Sequence, residues 1–140
     1  MIQVTRIILV SSFLLLFSCE DKNTNEKVLP EFGSISGTVN FNGTWPDTGE
    51  VLITLDTTYP PQGPPAGFAY ITSDDVSNGL YSYSFTNLSF RVYEAITITY
   101  WSLGYATAGT NYSLLGSYLE TTDVSQDNPD IIIDIDATFN

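Results

Sequence analysis

Residues 80–101, LYSYSFTNLSFRVYEAITITYW, carry the strongest fold signal in the chain. From Leu80 to Phe85 every second residue is aromatic and the residues between them are serines. From Val92 to Trp101 apolar residues alternate with threonines. The two sides of this second run are Ile96, Ile98 and Tyr100 on one and Ala95, Thr97, Thr99 and Trp101 on the other. A period of two is typical of β-strands with one buried face, so both runs are predicted strands.

The same alternation occurs on both sides of this stretch, in short segments separated by Gly, Pro, Asn and Asp. Further strands are predicted over Ser34 to Phe41, Glu50 to Asp56, Phe68 to Thr72, Tyr112 to Glu120 and Asp130 to Phe139. The proline-rich segment 59–65 is predicted to be an exposed loop, because proline has no backbone N–H to donate. About seven short strands with this turn spacing predict an all-β chain folded as an antiparallel β-sandwich.

The stretch Gly79 to Leu88, with Tyr93 and Ile96 after it, resembles the G-x-Y-x-F-x-N-L signature of carboxypeptidase regulatory-like domains, also called transthyretin-like or prealbumin-like. Residues 36–39, SGTV, resemble the first strand of that family. The resemblance implies a transthyretin-like or immunoglobulin-like sandwich with a structural, accessory or adhesive role, and it brings no catalytic residues. This chain departs from the family pattern at residues 90–92, FRV, where glycine is usual, so the connecting turn is expected to be longer or differently shaped.

The residues of this signature also have a direct physical interpretation. Tyr81, Tyr83 and Phe85 are predicted to fill one sheet face, and Leu88 to close the corner between two strands. Asn87 is predicted to form a turn there.

The first twenty residues predict export and an anchor. One basic residue, Arg6, precedes an apolar run over residues 7–17, which fits a signal peptide and falls short of the roughly 20 residues of a membrane-spanning helix. The run ends at Ser18 and Cys19, and Cys19 is the only cysteine. A small residue before a lone cysteine resembles the lipobox of bacterial lipoproteins, with Phe17 fitting the looser form found in Bacteroidota. The resemblance implies lipidation of Cys19 and attachment to the outer membrane; a free thiol is the alternative.

This interpretation divides the chain into three parts: a signal peptide over residues 1–18, a lipidated flexible tether over 19–32, and a β-sandwich domain over 33–140. The tether is predicted because its residues are mostly charged or polar. The pair Glu20-Asp21 resembles an acidic signal for export to the cell surface, although it is equally typical of a solvated linker. Both the periplasmic and the cell-surface face therefore stay open.

Composition excludes several classes of function. The chain has sixteen acidic residues against four Lys and Arg, with a formal net charge of −12, so nucleic acid is not an expected partner. It has no histidine, which excludes a Ser-His-Asp triad and any histidine-ligated metal site. No cofactor, metal or catalytic residue is predicted. Two loops are rich in side-chain oxygen, which leaves calcium binding as an alternative to ordinary solvated turns. One loop contains Asp123, Asp127, Asn128 and Asp130, and the other contains Asp74, Asp75 and Asn78.

Aromatic residues at predicted loops and strand ends are the remaining candidates for binding. They are Trp45, Tyr59, Tyr100, Trp101, Tyr105 and Tyr112. Trp45, Tyr59 and Trp101 are the predicted ligand-binding residues, since exposed rings stack on sugar faces. The sequence therefore predicts a non-catalytic, membrane-anchored envelope module that contacts other envelope proteins, with a carbohydrate-binding module as the alternative.

Overall fold

The computed structural model describes residues 28–107 and 109–140. The predicted signal peptide over residues 1–18, Cys19 and most of the predicted tether lie outside the described residues. The described part is built from strands and one short 3-10 turn, Ser73–Asp75, which confirms the predicted all-β sandwich. None of these residues belongs to a helix with the length and apolar character needed to cross a bilayer. The strands are β1 Gly33–Asn42, β2 Glu50–Asp56, β3 Gly67–Ile71, β4 Leu80–Leu88, β5 Arg91–Tyr93, β6 Ala95–Trp101, β7 Ser113–Tyr118, β8 Thr122–Val124, β9 Asp130–Ile132 and β10 Ile135–Thr138.

Two four-stranded sheets form the layers of the sandwich. In sheet A, β1 is central, with β4 on one side and β9 and β10 on the other. In sheet B the order is β3, β2, β6 and β7, and every pair is antiparallel. The short strands β5 and β8 pair separately with each other. The alternating residues of each layer bury one face against the other layer.

The predicted sandwich is antiparallel, but its last two strands run parallel to β1. β9 pairs with residues 34–36 and β10 with residues 39–42. Between them the Ile133 carbonyl approaches β1 so closely that a Cβ on Gly37 would overlap it, and the same carbonyl accepts a hydrogen bond of 2.6 Å from the Tyr83 hydroxyl. Glycine at residue 37 therefore permits this parallel seam.

The run predicted as one strand from Val92 to Trp101 is two strands, β5 and β6. The break falls at Glu94, whose backbone N–H donates to the Asp56 carbonyl at 2.9 Å. The chain changes partners there, because β5 pairs with β8 and β6 pairs with β2 and β7. Strand β8, only three residues long, is absent from the sequence prediction.

The core lies between sheets A and B and is closed by side chains from β5 and β8. Among the signature residues, Tyr83, Phe85 and Leu88 are buried as predicted and Tyr81 is half-buried. Asn87, predicted to form a turn, lies instead inside β4, where the pairing with β1 shifts register and its φ is 55°. The buried core residues are Ile35, Val39, Phe41, Val51, Ile53, Leu55, Ile71, Tyr83, Phe85, Leu88, Tyr93, Ile96, Ile98, Val124, Ile133, Ile135 and Ala137.

Candidate functional site

Trp45, the first predicted binding residue, lies in the loop between β1 and β2 and is half-buried. Its ring contacts Phe41 at a centroid distance of 5.1 Å and Phe139 at 4.9 Å, both edge to face. These contacts place one side of the indole against the end of the core. Trp45 therefore has a fixed position, and part of its surface faces outward.

Tyr59, the second predicted binding residue, lies just after β2 and is exposed at the start of the proline-rich loop. Its backbone N–H donates to a carboxylate oxygen of Glu94 at 2.8 Å. Residues 59–64 are all exposed, as predicted for this loop. Because β2 spans seven residues, Tyr59 lies about 20 Å from the strand end that faces Trp45.

Trp101, the third predicted binding residue, ends β6 opposite Glu50, the first residue of β2. It is 8% exposed, and its indole N–H donates to the Thr99 hydroxyl at 2.8 Å. Its ring contacts the exposed rings of Tyr105 and Tyr112, with centroid distances of 5.0 and 4.7 Å. Trp101 thus supports two exposed tyrosines, while Tyr59 lies apart from both tryptophans.

The outer face of sheet B, which points away from the core, carries several large aromatic and aliphatic side chains. We call it the aromatic face. Its residues are Leu52, Thr54, Asp56, Phe68, Tyr70, Ala95, Thr97, Thr99, Trp101, Leu114 and Ser117. Large side chains occupy the two edge strands, where Phe68 is 58% exposed, Tyr70 47% and Leu114 44%. Side chains in the middle are buried between them, including Leu52 at 1%.

Polar groups in the middle of the aromatic face bond to one another. The Thr54 hydroxyl lies 2.8 Å from the Thr97 hydroxyl and 3.0 Å from a carboxylate oxygen of Asp56. Burial raises the pKa of the Asp56 carboxyl above its ordinary value, and the hydrogen bond from Thr54 opposes this shift. Throughout the described part, every buried side-chain nitrogen and oxygen has a hydrogen-bond partner.

Phe68 and Tyr70 are functional candidates that the sequence analysis missed. It placed a strand here but did not determine which side of the strand faces the core. In β3 the inward residues include the small Gly67 and Ala69, and the aromatic residues point outward. That inverted pattern, small residues inside and large rings outside, is the signal that identifies them.

A groove opens where the aromatic face meets the loop before β2. We call it the Trp45 groove; its volume is about 680 Å³, within the range of about 300–1,000 Å³ usual for ligand sites. Its lining combines two aromatic rings, two carboxylates and three hydroxyls, one of them the phenol of Tyr70. The residues are Trp45, Pro46, Asp47, Gly49, Glu50, Val51, Tyr70, Ile71, Thr72 and Ser73. One carboxylate oxygen of Glu50 accepts a hydrogen bond of 2.7 Å from the Tyr105 backbone N–H.

The outer face of sheet A is the opposite surface of the sandwich, and we call it the polar face. Its residues are Ser34, Ser36, Thr38, Asn40, Leu80, Ser82, Ser84, Asp130, Ile132, Asp134 and Asp136. Its three aspartates accept side-chain hydrogen bonds from β1: Asp130 from Ser34, Asp134 from Thr38 and Asp136 from Asn40, at 2.7, 2.7 and 3.0 Å. The bonds from the Thr38 side chain and backbone lower the pKa of the Asp134 carboxyl.

One of the two oxygen-rich loops considered for calcium, that of Asp74, Asp75 and Asn78, is held by local hydrogen bonds. The Asp75 carboxylate accepts bonds from the Thr72 hydroxyl at 2.6 Å and the Thr72 N–H at 2.8 Å, which lower its pKa. Within residues 28–107 and 109–140, no three Cys, Asp or Glu side chains form a group suited to a metal ion. Comparison of the chain with protein-family models, with curated proteins and with solved structures finds no match.

Proposed function

We propose that this chain is a non-catalytic envelope lipoprotein, anchored to the outer membrane through Cys19, whose sandwich docks another envelope protein through the aromatic face. The supporting observation is the contrast between the two outer faces. A surface that only meets water needs no rings at its margins, and exposed apolar patches rimmed by polar groups are typical of protein contacts. Tyr70 and Phe68 are of the residue types enriched at such contacts.

The partner is a different protein rather than a second copy of this chain. The formal net charge of −12 makes two copies repel each other at moderate ionic strength. The aromatic face itself carries one acidic residue, Asp56, which is 4% exposed, so an apolar partner surface meets little charge there. A carboxypeptidase regulatory-like role as an accessory module agrees with this arrangement.

Catalysis is not part of the proposal. The absence of histidine from the chain removes the commonest general base. The aspartates with shifted pKa values, Asp56, Asp75 and Asp134, are not among the described residues that line the Trp45 groove.

Site-specific photo-crosslinking in intact cells tests the docking surface. A photoreactive phenylalanine analogue is placed at Tyr70 or Leu114 on the aromatic face, and at Ser82 or Ser84 on the polar face as matched exposed controls. We expect a discrete crosslinked protein from the first pair only, and its loss when Leu114→Asp is combined with the probe at Tyr70. Equal crosslinking from both faces, or none from the aromatic face, would contradict the proposal.

The anchor has its own test. Cells fed labelled palmitate should label the intact chain and not a Cys19→Ser variant, and only the intact chain should sediment with outer membranes. A cysteine that carries no lipid, with the protein recovered in the soluble fraction, would overturn the anchor while leaving the docking surface to be judged by crosslinking.

A further inference from the structure

The Trp45 groove has a rigid aromatic wall. Trp45 is held from behind by Phe41 and Phe139, with ring centroids about 5 Å away in both cases. A ring whose rotamer is fixed by the core loses little conformational entropy when a ligand stacks on it. Such preorganised rings are what a shallow binding site needs, because a shallow site has few other contacts to offer.

A second ring, that of Tyr70, also lines the groove. Tyr70 is 47% exposed on the edge strand β3 and lies outside the core cluster. Its neighbour Phe68, 6.1 Å away and nearly perpendicular, limits where the Tyr70 ring can turn. Tyr70 and Trp45 together give the groove two apolar surfaces.

Polar groups line the same groove. Asp47 and Glu50 supply carboxylate oxygens and Ser73 a hydroxyl. The hydrogen bond from the Tyr105 N–H positions the Glu50 carboxylate. A site of apolar rings with a few fixed acceptors matches a ligand that has C–H faces and a rim of hydroxyl donors.

The charge of the groove restricts the class of ligand further. Among the described residues that line the groove, none is Lys or Arg, and the only basic residue of residues 28–140 is Arg91 in β5. Phosphate, sulfate or uronate groups would therefore meet two carboxylates and no counter-charge. Cationic groups would gain little affinity from the two carboxylates, because ion pairs exposed to water are weak.

We propose that the Trp45 groove binds a neutral oligosaccharide, with its sugar rings stacked on Trp45 and Tyr70 and its hydroxyls donating to Asp47 and Glu50. This goes beyond protein docking through the aromatic face, with which it shares only Tyr70. The two functions fit one module, since a lipid-anchored protein can hold a glycan beside the protein it docks.

The groove is tested in the full chain in detergent, with a Trp101→Phe substitution that leaves Trp45 as the only tryptophan. Hexasaccharides of β-1,4-glucan, β-1,3-glucan, xylan and mannan are the neutral probes; hexagalacturonate and hexalysine are the charged ones. We expect a saturable change in Trp45 fluorescence with at least one neutral probe and none with the charged probes. Calorimetry on the unsubstituted chain repeats the measurement without relying on the Trp101 variant.

Variants then locate the site. Tyr70→Ala should weaken binding by about tenfold, because it removes one stacking surface, and Asp47→Asn should weaken it several-fold. Tyr59→Ala, an equally exposed ring at the far end of β2, is the matched control and should bind like the parent. Circular dichroism checks that each variant is folded.

Several results would overturn the proposal. They are no saturable signal by either method with any neutral probe at millimolar concentration, preferential binding of hexagalacturonate or hexalysine, or an equal loss from Tyr59→Ala and Tyr70→Ala. Leu114→Asp separates the two functions, because it should abolish protein crosslinking and leave oligosaccharide binding intact. A negative result for oligosaccharide binding therefore does not count against protein docking, and a negative crosslinking result does not count against oligosaccharide binding.

Discussion

The two outer faces of this sandwich are both made by strands with alternating residues, yet they differ in how far their side chains are exposed to water. On the polar face, Ile132 is 77% exposed beside serines, while on the aromatic face Leu52 is 1% exposed although it lies outside the core cluster. The difference arises from the edge strands: large side chains at the margins of sheet B enclose the middle of its outer face. The middle of the aromatic face is therefore a second buried layer, separate from the core cluster.

This contrast separates stability from recognition within one surface. Residues in the middle of the aromatic face, such as Leu52 and Thr97, have little exposed area and contribute to folding. Residues at its margins, such as Tyr70 and Leu114, are half exposed and are available for partners. The polar face has no comparable division, because its hydrogen bonds are formed between exposed neighbours.

The largest loss of stability is expected from Leu52→Ala. Truncating a fully buried leucine removes apolar contacts and leaves a cavity, so the free energy of unfolding should fall by about 2–5 kcal/mol in urea denaturation. Ile132→Ala, the matched change on the polar face, should alter it by no more than about 0.5 kcal/mol. Equally small losses of stability in the two variants would mean that the middle of the aromatic face is as exposed to water as the polar face.

A smaller loss is expected from Thr97→Val, which keeps the side-chain shape and removes the hydroxyl paired with Thr54. Net hydrogen-bond contributions predict a decrease in the free energy of unfolding of about 0.5–1.5 kcal/mol. Ser82→Ala, at an exposed position of the polar face, is the control and should be close to neutral. If Thr97→Val were no worse than Ser82→Ala, the buried hydroxyl pair would contribute nothing to stability.

Asp56→Asn should stabilise the protein at neutral pH. The pKa of Asp56 is raised by burial, so the folded state binds its proton more tightly than the unfolded state does, and wild-type stability falls as pH rises from about 3.8 through the folded pKa. An uncharged amide avoids that loss. Melting temperatures should favour the variant at pH 7 and converge near pH 3; a variant less stable than wild type at pH 7 would contradict the assignment.

Asp134→Asn should give the smallest change in stability, and at pH 7 it should destabilise the protein whereas Asp56→Asn stabilises it. The pKa of Asp134 is lowered by its bonds from Thr38, so its contribution to stability is present above about pH 3.8 and is lost as pH falls through the folded pKa. The variant should melt below wild type at pH 7 and match it in strong acid. The Asp56 variant serves as the internal control, because the two pH profiles must diverge in opposite directions.

Most of the fold follows from the sequence because alternation reports directly on half-buried strands. The bounds predicted for β2 are those observed, and Tyr83 and Phe85 of β4 and Ile135 and Ala137 of β10 are buried as expected. Alternation does not report pairing, so the parallel seam between β1 and the last two strands could not be deduced. A three-residue strand such as β8 is also too short to show a period.

The candidate site was only partly predictable for the same reason. Trp45 and Trp101 stand out as tryptophans near turns, but alternation in β3 does not say which side of Phe68 and Tyr70 faces the core. That choice is made by the opposing layer, where the Phe85 ring lies so close to Gly67 that a Cβ there would overlap it. Such crowding is a property of the assembled layers and is absent from any local window of the chain.

The central place of β1 in sheet A has a mechanical consequence. A pull applied to the chain before residue 33 enters the domain through a strand that is hydrogen-bonded on both sides, to β4 and to β9 and β10. The force is then directed along the strand, so that many bonds are sheared together instead of opening one after another. If the segment before β1 is the tether of an anchored protein, the domain would resist unfolding when it is pulled through that tether.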